Sequence, residues 1–456
     1  MLSALDYSLI LLYIITLLVI TFFKRKKDES ESDYLLAGRS LTLPAFIATL
    51  VSTWYGGILG VGEYGYQYGI SQWIVFSMPF YVFAILYAVF FVKRIRLSSA
   101  LSLPEAIVQE YDITSGKISA LLIFLLSSPA PYFVMIALLL GFILPFGIPY
   151  WILVVFSSLF SLIYVIYGGF RAVVRTDILQ FALMYSGFFV ILIFGLHRVG
   201  SFENLLSLVP EPLLHPTGHQ PFSYVVVWFF IALWTFVDPS FHQRVSAAKS
   251  PKTAKNGILI SVIFWFLFDA MTITASLLGV VLLPDLANPV MVYPELGNLL
   301  LPSGFKGLFI LGLLATIMST ADSFLFLSGQ SISRDLFGKS GSVKITKWGI
   351  FVSAIGGIGL AVFYPSVIQL WYGLGTCIIP GLLLTVLGTY FPFFKIPINF
   401  NKLMMILGFF ASLIWLNLGS TESGAFLGIE PFYVGLGLAL TIWFSGKLRI
   451  RFVQKA

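Results

Sequence analysis

Residues 48–63 read A-T-L-V-S-T-W-Y-G-G-I-L-G-V-G-E, and they decide how the chain is interpreted. The stretch sits inside a long apolar segment, where an uninterrupted membrane helix is the first expectation. It carries Ser52, Thr53, Trp54 and Tyr55 instead, followed by Gly56, Gly57, Gly60 and Gly62. Each glycine in a helix interior weakens it by about 0.8–1.0 kcal/mol relative to alanine. Their density here predicts a helix that breaks in mid-membrane. Carbonyls and amides freed at such a break are tolerated only when buried in protein or lining a cavity. Half-helix ends of this kind hold ions and substrates in many secondary transporters. The plainer reading of the same glycines is close helix packing, which small residues also allow.

The 456 residues are 58% hydrophobic and 10% charged, too apolar for a soluble chain of this size. They predict an all-α polytopic membrane protein with one integral domain in the lipid bilayer. Apolar runs long enough to span number thirteen, near 4–23, 42–68, 71–92, 118–144, 150–169, 176–196, 221–237, 257–283, 307–329, 347–364, 366–391, 403–418 and 430–446. With the N-terminus outside and the C-terminus cytoplasmic, every one of the 27 Lys and Arg residues except Arg198 and Lys306 falls on the inner side, as the positive-inside rule requires. The net charge of +7 is therefore a topology signal, and nucleic acid is not an expected partner. This count leaves no Lys or Arg for the membrane interior, which disfavours multiply anionic solutes. The single cysteine, Cys377, excludes an intramolecular disulfide. The first apolar run has its basic cluster, Lys24–Lys27, behind it and not ahead, unlike a signal peptide.

Spans two to six (42–196) and seven to eleven (221–391) are each five helices. An odd number inverts the second set relative to the first. The N-terminal run 4–23 and the last two spans, 403–446, lie outside this repeat. Span seven ends in Trp234-Thr235-Phe236-Val237-Asp238-Pro239, and proline breaks or kinks a helix, so each half opens on an interrupted helix. Residues 103–112 suggest a short interfacial helix. The run from Asp238 through Lys255 reads as a cytoplasmic loop, with Asp238 and Arg244 as a candidate pair.

Span nine carries the sharpest chemistry. Thr316, Ser319 and Thr320 share one helix face, and Ser319, Asp322 and Ser323 repeat the spacing one turn on. A row of hydroxyls with a carboxylate suits a hard cation such as sodium. The alternative is a polar face bonded to neighbouring helices. The carboxylate tips the balance toward function, because a charge at a membrane-helix centre costs about 2.5–3.5 kcal/mol. Asp177 and Gln180 sit in the first turn of span six, where Asp177 is either a helix-start residue or an inward-facing ligand. Asp269 is a further carboxylate in mid-span. Trp54, Trp234, Trp371 and Tyr372 fall in or beside interrupted or glycine-rich helices, which makes them candidates to line a substrate pocket; the plainer reading is packing or interface aromatics. No metal-ligand spacing, phosphate loop or nucleophile elbow appears, so an enzyme is not expected.

These residues resemble the sodium:solute symporters, a family that includes sodium/glucose cotransporters, proline permease and sialic acid transporters. The resemblance is carried by D-Y-L-L-A-G-R-S-L (33–41), G-V-G-E-Y-G-Y-Q-Y-G (60–69), G-G-F-R-A-V-V-R-T-D-I-L-Q (168–180), D-P-S-F-H-Q-R-V-S-A-A-K-S (238–250) and A-T-I-M-S-T-A-D-S (315–323). It implies an inverted five-plus-five core like the leucine-transporter fold, with sodium (Na+) as the coupling ion. The implied sodium ligands are the carbonyls of Leu50, Thr53 and Thr316 and the hydroxyls of Ser319 and Thr320. A second cation site, present in some relatives, maps to Asp177, Ser319, Asp322 and Ser323. Sugar-binding positions map to Ser52, Gly57, Gln72 and Trp234; Gly57 stands where sugar transporters carry histidine and Trp234 where they carry tyrosine, which argues against a sugar.

The resulting expectation is a multi-pass plasma-membrane symporter. It would take up a small neutral, zwitterionic or monoanionic solute with sodium, and one chain would suffice. The rivals are a proton-coupled carrier using Asp177, Asp269 or Asp322, and a receptor built on a transporter fold.

Overall fold

A computed structural model describes residues 2–22, 30–144, 146–338, 342–419 and 425–455. The basic cluster Lys24–Lys27 and Lys339 lie outside the described residues. Every long element is helical. Helix α1 (Ala4–Phe22) precedes a broken helix formed by α2 (Leu43–Trp54) and α3 (Ile58–Tyr68), which meet at 56°. Then come α4 (Ser71–Phe90), α5 (Ile113–Ile143) and α6 (Tyr150–Val199). Next are α7 (Phe222–Ile231), α8 (Pro239–Ala247), α9 (Pro251–Leu282) and α10 (Phe305–Gln330). The chain ends with α11 (Val343–Phe363), α12 (Val367–Tyr390), α13 (Ile398–Leu418) and α14 (Pro431–Lys455).

Among the described residues ten helices are long and apolar enough to cross a membrane, or eleven with the bent pair α2–α3 taken as one span. The expected count of thirteen is not reached by this measure, and the difference lies in two places. Helix α6 is continuous over 50 residues, but Gly169 within it has φ 59° and ψ −172°. A straight helix of that length would run about 75 Å, far beyond a bilayer of ~30 Å. Helix α14 is long enough, but its second half carries Lys447, Arg449 and Arg451.

The break in α2–α3 falls at Tyr55–Gly57, as the glycines predict, and close packing holds as well. A Cβ on Gly56 would strike the Thr320 side chain, and one on Gly57 would strike the Trp371 ring. The glycines thus weaken the helix and admit α10 and α12 against its broken turn. The second interruption also forms: α7 ends at Ile231, one turn follows at Trp234–Val237, and Asp238 leaves helical geometry with ψ 116°. The expected loop after it is instead helix α8. Asp238 Oδ1 accepts from the Ser240 amide at 2.6 Å, and Pro239 takes the first helical position, where its missing N–H costs nothing. All nine residues of α8 are buried. The segment 103–112 is helical over Leu103–Glu110.

Segments expected on one side of the membrane meet at one end of the bundle. Arg39 donates to the carbonyls of Ser98, Ser99 and Ala100, and Arg96 to that of Ala248. Arg334 pairs with Glu31, Glu105 and Asp335. Lys402 pairs with Asp112 at 2.7 Å, and with the Ser115 amide it holds that carboxyl below the usual carboxylate range against partial desolvation. At the other end, Asp6 Oδ1 accepts from the amides of Gly304 and Gly307 at 2.7 and 2.8 Å, capping the start of α10. Tyr66 there donates to the Leu283 carbonyl at 2.5 Å.

Filling the space beside the break tests this packing. Gly57→Ala is expected to lower stability by about 1–3 kcal/mol through overpacking against Trp371. Trp371→Leu in the same chain restores most of the loss. Thermal unfolding of the detergent-purified single and double variants measures both effects.

Candidate functional site

The break places backbone and hydroxyl oxygens of two helices side by side. On α10, Thr316, Ser319 and Thr320 are buried on the face toward α2. Thr320 Oγ1 donates to the Thr53 carbonyl at 2.8 Å, and the Thr316 carbonyl lies 3.5 Å from the same hydroxyl. Ser319 Oγ lies 2.6 Å from Asp177 Oδ1 and 2.9 Å from Ser52 Oγ. Leu50 is one turn before Thr53 on α2. The structure therefore brings Thr53, Thr316, Ser319 and Thr320 together, with Leu50 on the adjoining turn. Uncharged carbonyl and hydroxyl oxygens are the ligand chemistry a hard monovalent cation takes.

The sequence reading leaves no cation in the interior, and the structure corrects this at Arg244. Its side chain is fully buried at the end of the site. Nη2 donates to Thr53 Oγ1 at 2.6 Å and to Ser323 Oγ at 2.9 Å, and lies 3.7 Å from Asp177 Oδ2. The guanidinium also stands over the Phe170 ring at 5.6 Å. Asp177 receives a further hydrogen bond from Thr49 Oγ1. It lies two turns beyond the Gly169 kink and within α6, so it is not a helix-start residue. The partner of Arg244 is Asp177 and not Asp238, whose carboxylate caps α8. The D-P pair at 238–239 is the signal that would have revealed α8, and with it the burial of Arg244.

The residues of the second cation position are not brought together as a set. Ser319 and Asp177 touch, but Arg244 stands between Asp177 and Ser323. Asp322 turns away to accept from the Tyr164 hydroxyl.

Beside the ion-site residues lies a cavity of about 100 Å³, room for roughly seven to ten waters. Of the residues expected to contact substrate, Gly57, Trp234 and Trp371 line it, as do Leu50 and Thr53. Ser52, Gln72 and Tyr372 do not. Ser52 faces Ser319. Gln72 is fixed outside the cavity, with Nε2 donating to Thr272 and Oε1 accepting from Ser276. Tyr372 donates to Glu430, with its ring against Tyr224. The sequence reading did not single out the lining positions Phe76, Ser77, Phe80, Tyr132, Trp228 and Phe324. They stand on four helices, and apart from Phe76 and Phe80, one turn apart on α4, no local spacing links the rings.

The fold and this site together define a secondary transporter: an all-helical membrane bundle whose broken helix shares oxygens with a hydroxyl-bearing helix beside a cavity. The family model described as "Sodium:solute symporter family" matches residues 34–347, more than half of the chain. The chain belongs to the sodium:solute symporter family, whose coupling ion is sodium, and it is a transporter and not an enzyme. It is 27% identical over 338 residues to the sodium/pantothenate symporter of Haemophilus influenzae, covering 70% of this chain and 69% of that one. It is 24% identical over 444 residues to the sodium/proline symporter of Escherichia coli, covering 89% and 87%. A solved structure of a Na+-coupled sialic acid symporter, in a substrate-bound outward-open state, superposes with a TM-score of 0.81 at 19% identity. It covers 98% of this chain and 97% of that one, so the two share the leucine-transporter-like fold.

Removing the buried charge at Arg244 leaves Asp177 uncompensated. Arg244→Met is expected to destabilise the protein by about 3–5 kcal/mol, and adding Asp177→Asn recovers part of that loss. Thermal unfolding of wild type, both single variants and the double variant gives the coupling.

Proposed function

We propose that this protein takes up a small organic solute together with sodium by alternating access, with the ion held where α2 breaks against α10. The carrying observation is the contact of Thr320 with the Thr53 carbonyl across the gap that Gly56 keeps open. In this reading sodium replaces that hydrogen bond. The carbonyls of Leu50, Thr53 and Thr316 and the hydroxyls of Ser319 and Thr320 coordinate it. The solute occupies the adjoining cavity, against Gly57, Trp234 and Trp371. Leu50 and Thr53 border both places, so ion and solute stabilise the same broken turn, and each favours binding of the other. With Arg244 resident between Asp177 and Ser323, a second cation there is not part of this reading.

The topology that fits is thirteen spans, with α6 counted as two at Gly169 and α14 as the last. The N-terminus lies outside and the C-terminus inside a plasma membrane. The five-helix repeats are 42–196 and 221–391. One chain contains the whole of both sites. Inward movement of one sodium charge across 100 mV supplies about 2.3 kcal/mol for accumulation.

Thermal stability in sodium chloride against potassium chloride at equal ionic strength tests the ion site. Sodium at about 100 times its Kd is expected to stabilise the fold by about 2.7 kcal/mol. Thr320→Val and Ser319→Ala are expected to weaken sodium at least about tenfold, a change of ~1.4 kcal/mol each, with purified yield maintained. An unchanged sodium response in both variants refutes the assignment. A response to pH in place of sodium would support a proton-coupled carrier.

A further inference from the structure

The cavity has a chemical bias that the ion site does not require. Nine of its eighteen lining residues are aromatic, four of them tryptophan. The lining holds no Lys, Arg or His, and it includes two carboxylates, Asp238 and Asp269. Asp238 is committed to α8, through the cap on Ser240. Asp269 caps no helix and has no basic partner. It sits in the middle of α9, is 3% exposed, and accepts from the Tyr81 hydroxyl, with the Tyr55 and Ser77 hydroxyls also hydrogen-bonded to it. Among the described residues no basic side chain comes within 4.0 Å of it, whereas Asp177 has Arg244. Among the described residues no cation stands over a ring of the cavity wall; those that meet aromatic faces do so elsewhere, at residues such as Phe391, Phe170 and Tyr111. The cavity rings pack on one another, Trp54 on Phe80 at 4.9 Å and Phe76 on Trp228 at 4.9 Å.

A buried carboxylate without a basic partner is costly, and it is retained where something else supplies the charge. Aromatic faces attract cations through the negative potential above the ring, most strongly when water is excluded. A carboxylate and a wall of tryptophans complement the same group: a positively charged nitrogen with apolar substituents. An anion meets no cationic side chain in this lining.

We infer that the transported solute carries an alkylated or cyclic ammonium, whose charge is met by Asp269 and whose substituents lie against the tryptophan-rich wall. This rests on the symport reading above and narrows it to small cationic or zwitterionic amines.

The experiment uses the detergent-purified full chain in sodium chloride, with thermal stability and ligand competition as readouts. The probes are choline, glycine betaine, L-proline and 3,3-dimethylbutanol; the last has the shape of choline without its charge. At least one ammonium probe is expected to stabilise the protein, and 3,3-dimethylbutanol is not. Asp269→Asn keeps the volume and an acceptor for Tyr81. It is expected to weaken the ammonium probe at least about tenfold while the sodium-specific shift persists. Asp269→Glu retains the charge and is expected to bind more tightly than Asp269→Asn. The inference is overturned if no ammonium probe shifts the protein, if 3,3-dimethylbutanol binds as well as choline, or if Asp269→Asn binds ammonium like wild type. In each case a surviving sodium shift leaves the symport reading standing. Loss of the sodium shift in the wild-type protein would remove that reading instead. Potassium, and not an organic cation, serves as the sodium replacement in the controls.

Discussion

The ion pair of Arg244 and Asp177 constrains the centre of the molecule more than any other contact. Removing two charges from water costs several kcal/mol per ion even after relaxation. Their mutual attraction at 3.7 Å offsets this only because the remaining hydrogen-bonding capacity is largely used: Thr49 and Ser319 on the carboxylate, Thr53 and Ser323 on the guanidinium. Those partners come from α2 and α10, and the pair itself from α6 and α8. The pair therefore sets where four helices can stand relative to one another. The break in α2–α3, the face of α10 and the buried position of α8 all meet at this cluster.

The same arrangement explains how two ligand places can communicate over one short segment. Leu50 and Thr53 line the cavity and carry two of the carbonyls assigned to sodium. A continuous helix would have consumed the Thr53 carbonyl in its own ladder. The break, and the admission of Thr320 at Gly56, leave the Thr53 oxygen to an external partner. In the proposed reading, filling either place orders the turn that the other shares. The glycines matter here through what they let approach, since none of the four has a positive φ.

Much of this was legible in the chain itself. Glycine density located the break within a residue or two, Pro239 located the second interruption, and the i, i+3, i+4 hydroxyls of α10 marked the oxygen-rich face. Basic residues grouped the connecting segments correctly by the end of the bundle at which they meet. What escaped was long-range pairing. Counting Arg244 with its neighbours Lys249, Lys252 and Lys255 assigned it to a loop, because charge alone does not distinguish a solvated arginine from one neutralised by an aspartate 67 positions earlier. Ser52, Gln72 and Tyr372 have the right chemistry for a binding site but turn toward protein partners. Gly57, Trp234 and Trp371 were anticipated in the cavity wall, but the rings of Phe76, Tyr132, Trp228 and Phe324 escaped for the same reason, since they come from helices far apart in sequence.

Asp6 at the start of α1 has a mechanical meaning. Its carboxylate accepts from the Gly304 and Gly307 amides, where the dipole of α10 presents its positive end, and Tyr13 further along α1 reaches Met318 and Gln180. The helix outside the repeat is thereby clamped to the one that bears the hydroxyls, at its end and again at its middle. The two form a single strut. In the alternating-access cycle proposed above, motion that opens or closes the cavity belongs to whatever slides past that strut, and the hydroxyl face is the wall against which the broken helix works.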